Sequence, residues 1–361
     1  MGDQQVLNGV IAVMIGLALG VVLFVPFVAI SYRRRGRLTI WRLLLWLSAL
    51  IYFWAIWTYT LLPLPDPDAI RCVGAILDPM SVVRDVQTGL RAGGNPLGRP
   101  EILQLVFNVL LFAPLGFFVR VLGGRGFLVA LAVGLGLSLF IETTQLTGVW
   151  GLYPCAYRFF DVGDLMTNTT GTVLGSLAGL VVPRRFRGLE VSADARLPRP
   201  VTRGRRALAM LCDGLGYSFL AAAIGVAVQL WFGYVVHDER NFADGTLAGD
   251  IGTAAAITVW LIVILATGRS IGDLAVQLRY DGSRMPAFLA RLLRWLGGVA
   301  GIGAIGLIPG GLGISGALSL LACVMFLFTR RGRGLPGLLS GQQLRDAREG
   351  ADQDSARPAR Q

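Results

Sequence analysis

Residues 141–171 read IETTQLTGVWGLYPCAYRFFDVGDLMTNTTG, and this stretch connects two apolar segments through a short polar turn. Charged residues, including Glu142, Arg158, Asp161 and Asp164, lie at the ends of those segments. Isolated charges are costly in lipid, so charges at the ends of apolar helices favour contacts between helices. The stretch therefore predicts a membrane protein in which polar side chains from separate helices meet.

The composition also indicates a membrane protein. Hydrophobic residues make up 54% of the chain and charged residues only 15%, whereas soluble domains are about 25% charged. A helix needs roughly 20 apolar residues to cross the hydrocarbon of a bilayer. The sequence predicts an all-α, polytopic helical membrane protein with about nine transmembrane helices. These lie near residues 7–31, 39–62, 101–121, 126–149, 164–182, 207–235, 250–267, 291–308 and 312–329.

The arginine residues predict an orientation with the N-terminus outside and the C-terminus inside. With that topology, 27 of the 33 basic residues, all of them Arg, lie in inner segments or at inner helix ends. Such a bias is typical of cytoplasmic loops. It also accounts for the net charge of +11, and no soluble basic domain remains that could hold a duplex. We therefore expect no nucleic-acid partner.

Shifts in hydrophobicity and charge divide the chain into five parts. They are an N-terminal transmembrane anchor helix (1–38), a first transmembrane domain (39–182), a basic cytoplasmic linker (183–203), a second transmembrane domain (204–335) and a disordered cytoplasmic tail (336–361).

Polar residues of the first transmembrane domain fall on single helix faces. Helical spacing puts Glu142 and Gln145 on one face of the fourth span, and Asp164 and Asn168 on one face of the fifth, while Asn108 lies on the third. In the predicted topology these faces share the outer end of the bundle. The cluster is either a functional site or structural glue between helices, worth about 0.6–2 kcal/mol per contact. Gly171 and Gly175 form a G-x-x-x-G step that allows close helix approach.

Three motifs then carry a family resemblance. FNVLLFAPLGF (107–117), SLFIETTQL (138–146) and RFFDVGDLMTNTTGTVLG (158–175), preceded by YTLLPLP (59–65), resemble the VanZ-like family of bacterial membrane proteins. The resemblance covers about residues 39–182. It implies a multi-pass protein of the bacterial plasma membrane with a role in the cell envelope. The founding member is linked to low-level resistance to teicoplanin, a glycopeptide that binds wall precursors outside the membrane.

The resemblance and the helix faces together assign roles to the polar residues. A catalytic group, if the protein is an enzyme, would comprise Glu142, Arg158, Asp161 and Asp164. Glu142 would donate or accept a proton, and Arg158 would pair with Glu142 or hold an anionic head group. Asp161 or Asp164 could also cap the fifth span. Asn108, Gln145 and Asn168 would position the ligand, a membrane lipid or a lipid-linked envelope precursor.

The second transmembrane domain resembles the RDD family. GRRALAMLCD (204–213) and GRSIGDLAVQLRYDGSRMPAFLARLLRWL (268–296) carry this resemblance, which singles out Arg206 and Asp213. Asp213 could pair with Arg206 two turns earlier, or belong to an ion pathway. The alternative functions are therefore an ion- or proton-coupled transporter and a noncatalytic membrane adaptor. Pro336 and Gly337 stand where that family often has His-Asp.

Two cysteine residues and a long loop complete the predictions. Cys72 and Cys155 both fall in outer loops, and we hypothesise a disulfide that clamps the loop 63–100 over the polar cluster. This loop is either a lid or a connector, and residues 75–90 have the apolar stripe of a short interfacial helix. No Cys-x-x-Cys or His-Glu-x-x-His spacing occurs, so we predict no metal site and no cofactor.

Overall fold

A computed structural model describes the fold of the chain. The described residues are 2–66, 70–91, 95, 98–188 and 191–349, with the side chains of residues 2–5 left out. In chain order the helices and strands are α1 (Gly2–Val22), α2 (Phe24–Arg35), α3 (Ile40–Leu61), β1 (Ala75–Ile76), α4 (Ser81–Arg91), α5 (Pro100–Val121), α6 (Phe127–Leu146), α7 (Gly148–Gly151), β2 (Phe160–Asp161), α8 (Val162–Ala178), α9 (Arg203–Trp231), α10 (Glu239–Asp244), α11 (Thr246–Thr267), α12 (Ile271–Ala275), β3 (Leu278–Asp281), α13 (Ala287–Leu296), α14 (Val299–Gly306), α15 (Gly311–Phe328), α16 (Gly334–Leu339) and β4 (Gln343–Asp346).

Apolar helices dominate these elements, which confirms the predicted all-α fold of a polytopic membrane protein. Among the described residues, α3, α5, α6, α11, α15 and α9 with its extension to Val236 are each long and apolar enough to cross a membrane. Two pairs, α1 with α2 and α13 with α14, are each bent by 60° and raise the count to as many as eight. The prediction of about nine spans is too high, because α8 has 17 residues. At 1.5 Å per residue it is about 26 Å long, shorter than the hydrocarbon layer.

The chain divides into two units that differ from the predicted domains. Unit 1 contains Met1–Gly20 and Ile40–Glu190, and unit 2 contains Val21–Thr39 and Val191–Gln361. The predicted linker 183–203 is therefore split at Glu190, and its second half is part of unit 2.

The predicted single anchor helix, 1–38, is wrong. The chain breaks at Leu23 between α1 and α2, because Pro26 lacks the N–H that would bond to the Val22 carbonyl. Most of α1 belongs to unit 1, whereas α2 places Val28 in the hydrophobic core of unit 2.

Glycine residues bring α5 and α8 into direct backbone contact in unit 1. A Cβ atom added at Gly175 would lie 1.7 Å from the carbonyl oxygen of Ala113, and one at Gly171 would lie 2.2 Å from that of Val109. On the other helix, Gly116 lies against the α8 backbone in the same way. The G-x-x-x-G step thus fixes how closely α8 approaches α5, and no residue with a side chain fits there.

We expect Gly175→Ala to destabilise the protein by about 2–3 kcal/mol, because α5 and α8 must separate to admit the methyl group. The measurement is the thermal unfolding of the purified protein in detergent. Gly136→Ala is the matched control in α6, since a Cβ there meets no atom within 4 Å. The control should unfold at the wild-type temperature or slightly above it, and an equal loss in both variants would contradict the packing argument.

The C-terminal region of unit 2 contains a helix and a strand, so the predicted disordered tail, 336–361, begins too early. Strand β4 pairs antiparallel with β3, with Leu344 opposite Tyr280 and Asp346 opposite Leu278, and all four residues are buried. The alternation of Leu344 and Asp346 turns both side chains inward, which is why this polar segment forms a strand. Residues 350–361 of the predicted tail lie outside the described residues.

Asp346 cross-links unit 2 through a network of charged hydrogen bonds. Its Oδ2 accepts from Arg205 Nη1 at 2.7 Å, from Arg348 Nη2 at 2.6 Å and from the Arg199 backbone N–H at 3.0 Å. Burial alone would raise the pKa of Asp346, but the hydrogen bonds from Arg348 and Arg205 outweigh it and hold the pKa below its ordinary value. The predicted linker is thereby tied to the last strand.

Replacing Asp346 by Asn should destabilise the protein by about 3 kcal/mol at neutral pH, because the buried Arg205 loses its countercharge. The folded pKa of Asp346 is lowered, so its contribution is present above the unfolded pKa, about 3.9, and is lost as pH falls further. Thermal melts should show a constant gap between wild type and variant from about pH 5 to 8. Asp281→Asn, which affects a half-exposed pair with Arg345, should cost less than about 1 kcal/mol.

Candidate functional site

The centre of the polar site in unit 1 is the contact between α6 and the start of α8. Asp161 is the N-cap of α8, and its side chain accepts from the Gly163 N–H at 2.7 Å. Its own backbone N–H donates to Oε2 of Glu142 at 3.0 Å. Glu142 is only 3% exposed, so a buried carboxylate holds the first residues of α8 against α6. The capping role therefore belongs to Asp161 and not to Asp164.

Asp164, in the first turn of α8, connects to α5. Asn108 donates from Nδ2 to Asp164 Oδ1 at 2.6 Å, and the same nitrogen lies 3.5 Å from Thr167 Oγ1. The Gln104 side chain is also hydrogen-bonded to Asp164. Gln104 and Asn108, one turn apart on α5, thus both contact the acidic first turn of α8.

The carbonyl oxygen of Thr60 joins α3 to the site. Gln145 Nε2 and Arg158 Nη1 each donate to this oxygen at 2.7 Å. Thr60 lies in the last turn of α3, where carbonyl groups have no partner within the helix. A cation is also favoured there by the negative end of the helix dipole. The YTLLPLP segment therefore supplies a backbone acceptor that sequence reasoning did not assign to the site.

The predicted ion pair between Arg158 and Glu142 is wrong. No ion pair of Arg158 lies within 4 Å in the described part of the chain, although its charge attracts both Glu142 and Asp164. The Thr60 carbonyl holds one end of the guanidinium instead, and the side chain stays exposed at the surface of unit 1. Arg158 consequently keeps N–H donors that could bind an anionic group.

Asn168 lies one turn beyond Asp164 on α8, and it makes a separate hydrogen bond to α6. Its Nδ2 donates to Ser138 Oγ at 2.9 Å, and its Oδ1 is buried without a hydrogen-bond partner among the described residues. Asn108, Gln145 and Asn168 thus all use their amide donors on protein acceptors. These three side chains therefore hold helices together. Among them, only Asn168 has a buried polar atom, Oδ1, without a hydrogen-bond partner in the described residues.

The described residues of the 63–100 loop include a segment, 72–82, that lies beside the start of α8. Strand β1 pairs parallel with β2, with Ile76 opposite Asp161, and a disulfide joins Cys72 to Cys155 with their Cα atoms 5.5 Å apart. Helix α4 follows, and a Cβ atom at Gly163 would lie 2.9 Å from Val82. The disulfide, the two-strand sheet and α4 together attach this loop directly beside Asp161.

We expect thiol alkylation under non-reducing conditions to label only Cys212 and Cys323 of the denatured wild-type protein, because Cys72 and Cys155 are bonded. Prior reduction should add both remaining cysteine residues, and mass spectrometry counts the adducts. The Cys72→Ser variant is the control, since it frees Cys155 for labelling without reductant. Full labelling of the unreduced wild-type protein would contradict the disulfide.

A comparison with known protein families finds a match for one part of the chain. Residues 43–182 match the VanZ/LLP1 family. This VanZ/LLP1 region contains the whole polar site, from Thr60 to Asn168, together with the disulfide and α4. No curated protein and no solved structure matches the chain.

The VanZ/LLP1 match ends before unit 2's helices α9 to α16, and the RDD resemblance stays a prediction. The predicted pair of Arg206 with Asp213 is wrong: Arg206 Nη1 donates to Asp273 Oδ1 at 2.9 Å. Asp213 accepts from neutral donors of Trp260, Gly272 and Ser270, at 3.1, 2.8 and 2.6 Å. Helical spacing places Asp213 two turns from Arg206, but it carries no information about Asp273, which lies 67 residues further along the chain.

Asp273 is a buried residue that sequence reasoning missed. It accepts from Arg206 and from Arg294, and it forms a capping box with Ser270 at the start of α12. Burial would raise the pKa of Asp273, but the two guanidinium groups hold it below its ordinary value. The Ser-x-x-Asp spacing at 270–273 was the available signal, since it marks a helix start.

Chemically, the polar site of the VanZ/LLP1 region can exchange a proton and bind a polar group. Glu142 Oε2 holds the Asp161 N–H, while no hydrogen bond to Oε1 occurs in the described ranges. Glu142, Asp161 and Asp164 repel one another, and the positive charge of Arg158 attracts both Glu142 and Asp164. Within the described residues, no group of three or more His, Cys, Asp or Glu side chains could hold a metal ion.

Proposed function

We propose that the VanZ/LLP1 region binds the polar head of a lipid-linked envelope component at the outer face of the bacterial plasma membrane. The observation that carries this proposal is the buried Glu142 carboxylate. One of its oxygens anchors α8 and the other has no hydrogen bond among the described residues. A buried carboxylate with an uncommitted oxygen, next to an exposed guanidinium, suits a ligand better than it suits packing alone.

Arg158 and Glu142 have complementary roles in the proposed site. Arg158 would bind an anionic head group, such as a phosphate, with the N–H donors that the Thr60 carbonyl leaves unused. Glu142 would accept or donate a hydrogen bond, or a proton, at a neighbouring hydroxyl or amide group of the ligand. Asp161 and Asp164 would fix the start of α8 through the Gly163 N–H and Asn108.

A site of this kind would affect glycopeptide susceptibility through the antibiotic's target. Teicoplanin binds wall precursors outside the membrane, and a protein that holds or alters those precursors changes how much target is accessible. The VanZ-like resemblance of the motifs supports this direction of effect. We therefore include low-level teicoplanin resistance in the proposed function.

We predict that cells expressing the wild-type protein are less susceptible to teicoplanin than cells with an empty vector, and that Glu142→Gln abolishes the difference. The amide oxygen introduced by this substitution can still accept the Asp161 N–H, so the variant should fold while losing the carboxylate charge and proton. Arg158→Gln should have the same effect, because the anion-binding group is lost. The measurement is the inhibitory concentration at matched protein levels in the membrane.

Glu101→Gln serves as the matched control. Glu101 is an exposed acidic residue in the first turn of α5, outside the hydrogen bonds of the site. This variant should protect cells as the wild type does. Protection by Glu142→Gln equal to wild type would rule out a role for the carboxylate. If the wild-type protein gave the cells no protection, teicoplanin resistance would be removed from the proposal. The site itself would then be tested by measuring how a labelled wall precursor binds to the purified wild-type protein and to Arg158→Gln.

A further inference from the structure

Helix α4 packs on the rest of unit 1 with one side only. A Cβ atom at Gly89 would lie 2.7 Å from the Ile102 side chain of α5, and one at Gly163 of α8 would lie 2.9 Å from Val82. Val82 and Gly89 are seven residues apart and share this packed side. At 3.6 residues per turn, the exposed residues of α4 fall on two other sides of the helix.

The two exposed sides of α4 differ in polarity. Apolar residues, each at least 36% exposed, form a stripe along one side that begins just before the helix: Met80, Val83, Val86 and Leu90. Polar and charged residues form the other side: Arg84, Thr88 and Arg91. Water disfavours an exposed apolar stripe, whereas a helix with one apolar and one charged side suits the boundary between lipid and water.

The contact with Ile102 places α4 at the level of such a boundary. Helix α5 has 22 residues and is apolar enough to cross the membrane. At 1.5 Å per residue it is about 33 Å long, close to the thickness of the hydrocarbon layer, so its ends lie near the two membrane surfaces. Ile102 is in the first turn of α5. A helix packed there lies in the headgroup layer, where lipid can reach the apolar stripe.

A left-handed turn lies at the same end of unit 1, which the disulfide links to the 63–100 loop. Residues 148–151, Gly-Val-Trp-Gly, all have φ between 55° and 89°. This region is unfavourable for residues with a Cβ atom, above all for a β-branched residue such as Val149. The Thr147 hydroxyl supports the turn by accepting from the Trp150 N–H at 3.1 Å.

The turn lays the Trp150 indole along the outside of α6. The ring centre is 5.8 Å from that of Phe140, and Nε1 donates to Thr144 Oγ1 at 3.1 Å. Both partners lie in the last two turns of α6, which is also long and apolar enough to cross the membrane. Trp150 nevertheless stays 61% exposed. An exposed indole beside the end of a spanning helix is typical of the aromatic belt at a membrane surface.

We propose that the apolar stripe of α4 and the Trp150 indole form one interfacial surface of unit 1, and that its partner is the headgroup and upper acyl layer of the bilayer. The charged side of α4 then remains in water. Because Val82 packs on Gly163, this surface also holds the start of α8 at the depth of lipid head groups. The proposal does not depend on the function proposed for the VanZ/LLP1 region.

Spin labels on the full-length protein in vesicles of phosphatidylethanolamine and phosphatidylglycerol test the position of α4. Val83→Cys and Leu90→Cys carry the label on the apolar stripe, and Thr88→Cys is the matched control on the polar side. All three native side chains are exposed in the structure, so burial in unit 1 does not distinguish them. A Cys323→Ser background removes the exposed native thiol, and a mass of one label per chain confirms that the native disulfide is intact.

Oxygen dissolves in lipid, whereas a polar nickel chelate stays in water. Oxygen should therefore relax the labels at positions 83 and 90 severalfold more than the chelate does, and the order should reverse at position 88. Strong relaxation by the chelate at all three positions would place the stripe in water. Weak relaxation by both reagents at position 83 would show a protein partner in place of lipid. Either result would overturn the proposal.

Quenching of tryptophan fluorescence tests the position of Trp150. The emission that Trp150→Phe removes reports this one indole. Lipids brominated near the headgroup end of the acyl chain should quench that emission more than lipids brominated at the methyl end. Equal quenching by both lipids, stronger quenching from the methyl end, or quenching by aqueous iodide alone would place Trp150 away from the membrane surface and overturn its part in the proposal.

Discussion

The hydrogen bond from the Asp161 backbone N–H to Glu142 sets the architecture of unit 1. It joins the C-terminal half of α6 to the residue that caps α8, so the two helices meet at a defined depth. The first turn of α8 then presents Asp164 to Asn108 on α5. The same backbone segment, β2, pairs with β1 and thereby positions the 63–100 loop. One buried carboxylate thus organises two helices and a loop, and apolar packing alone would not specify this register.

Buried carboxylates that accept several hydrogen bonds also connect the elements of unit 2. Asp273 and Asp346 are fully buried, and each accepts hydrogen bonds from two guanidinium groups. Buried charges persist only where partners surround them, and losing one partner leaves the other uncompensated. The buried carboxylates of Asp273 and Asp346 therefore fix the start of α9 against α12 and against β4. Arg206, Arg294 and Trp295 also each retain a buried donor that the described residues do not satisfy.

Much of this arrangement could be predicted from the sequence, but the choice of partners could not. The lengths of the apolar runs predicted the long helices. Gly171 and Gly175, four residues apart, predicted the close contact of α8 with α5. Arg158 binds the Thr60 carbonyl because that backbone group has no partner within its helix end. Every residue type has a backbone carbonyl, so the sequence does not show which one Arg158 will bind. Strand β4 was missed because its four residues are too few for alternation to stand out from a polar tail.

The packing beneath the polar site favours binding over transport for the VanZ/LLP1 region. Phe112, Ile56 and Ile141 form a buried apolar cluster on the same helices that hold Asn108, Thr60 and Glu142. Further along, Gly116 and Gly175 bring the backbones of α5 and α8 into contact, so no side chain or water fits between them there. A solute that reached Glu142 would meet apolar side chains and then abutting backbones. Buried polar side chains continue along α8 at Asn168, Thr172 and Ser176, but the abutting backbones of α5 and α8 leave no route between these two helices.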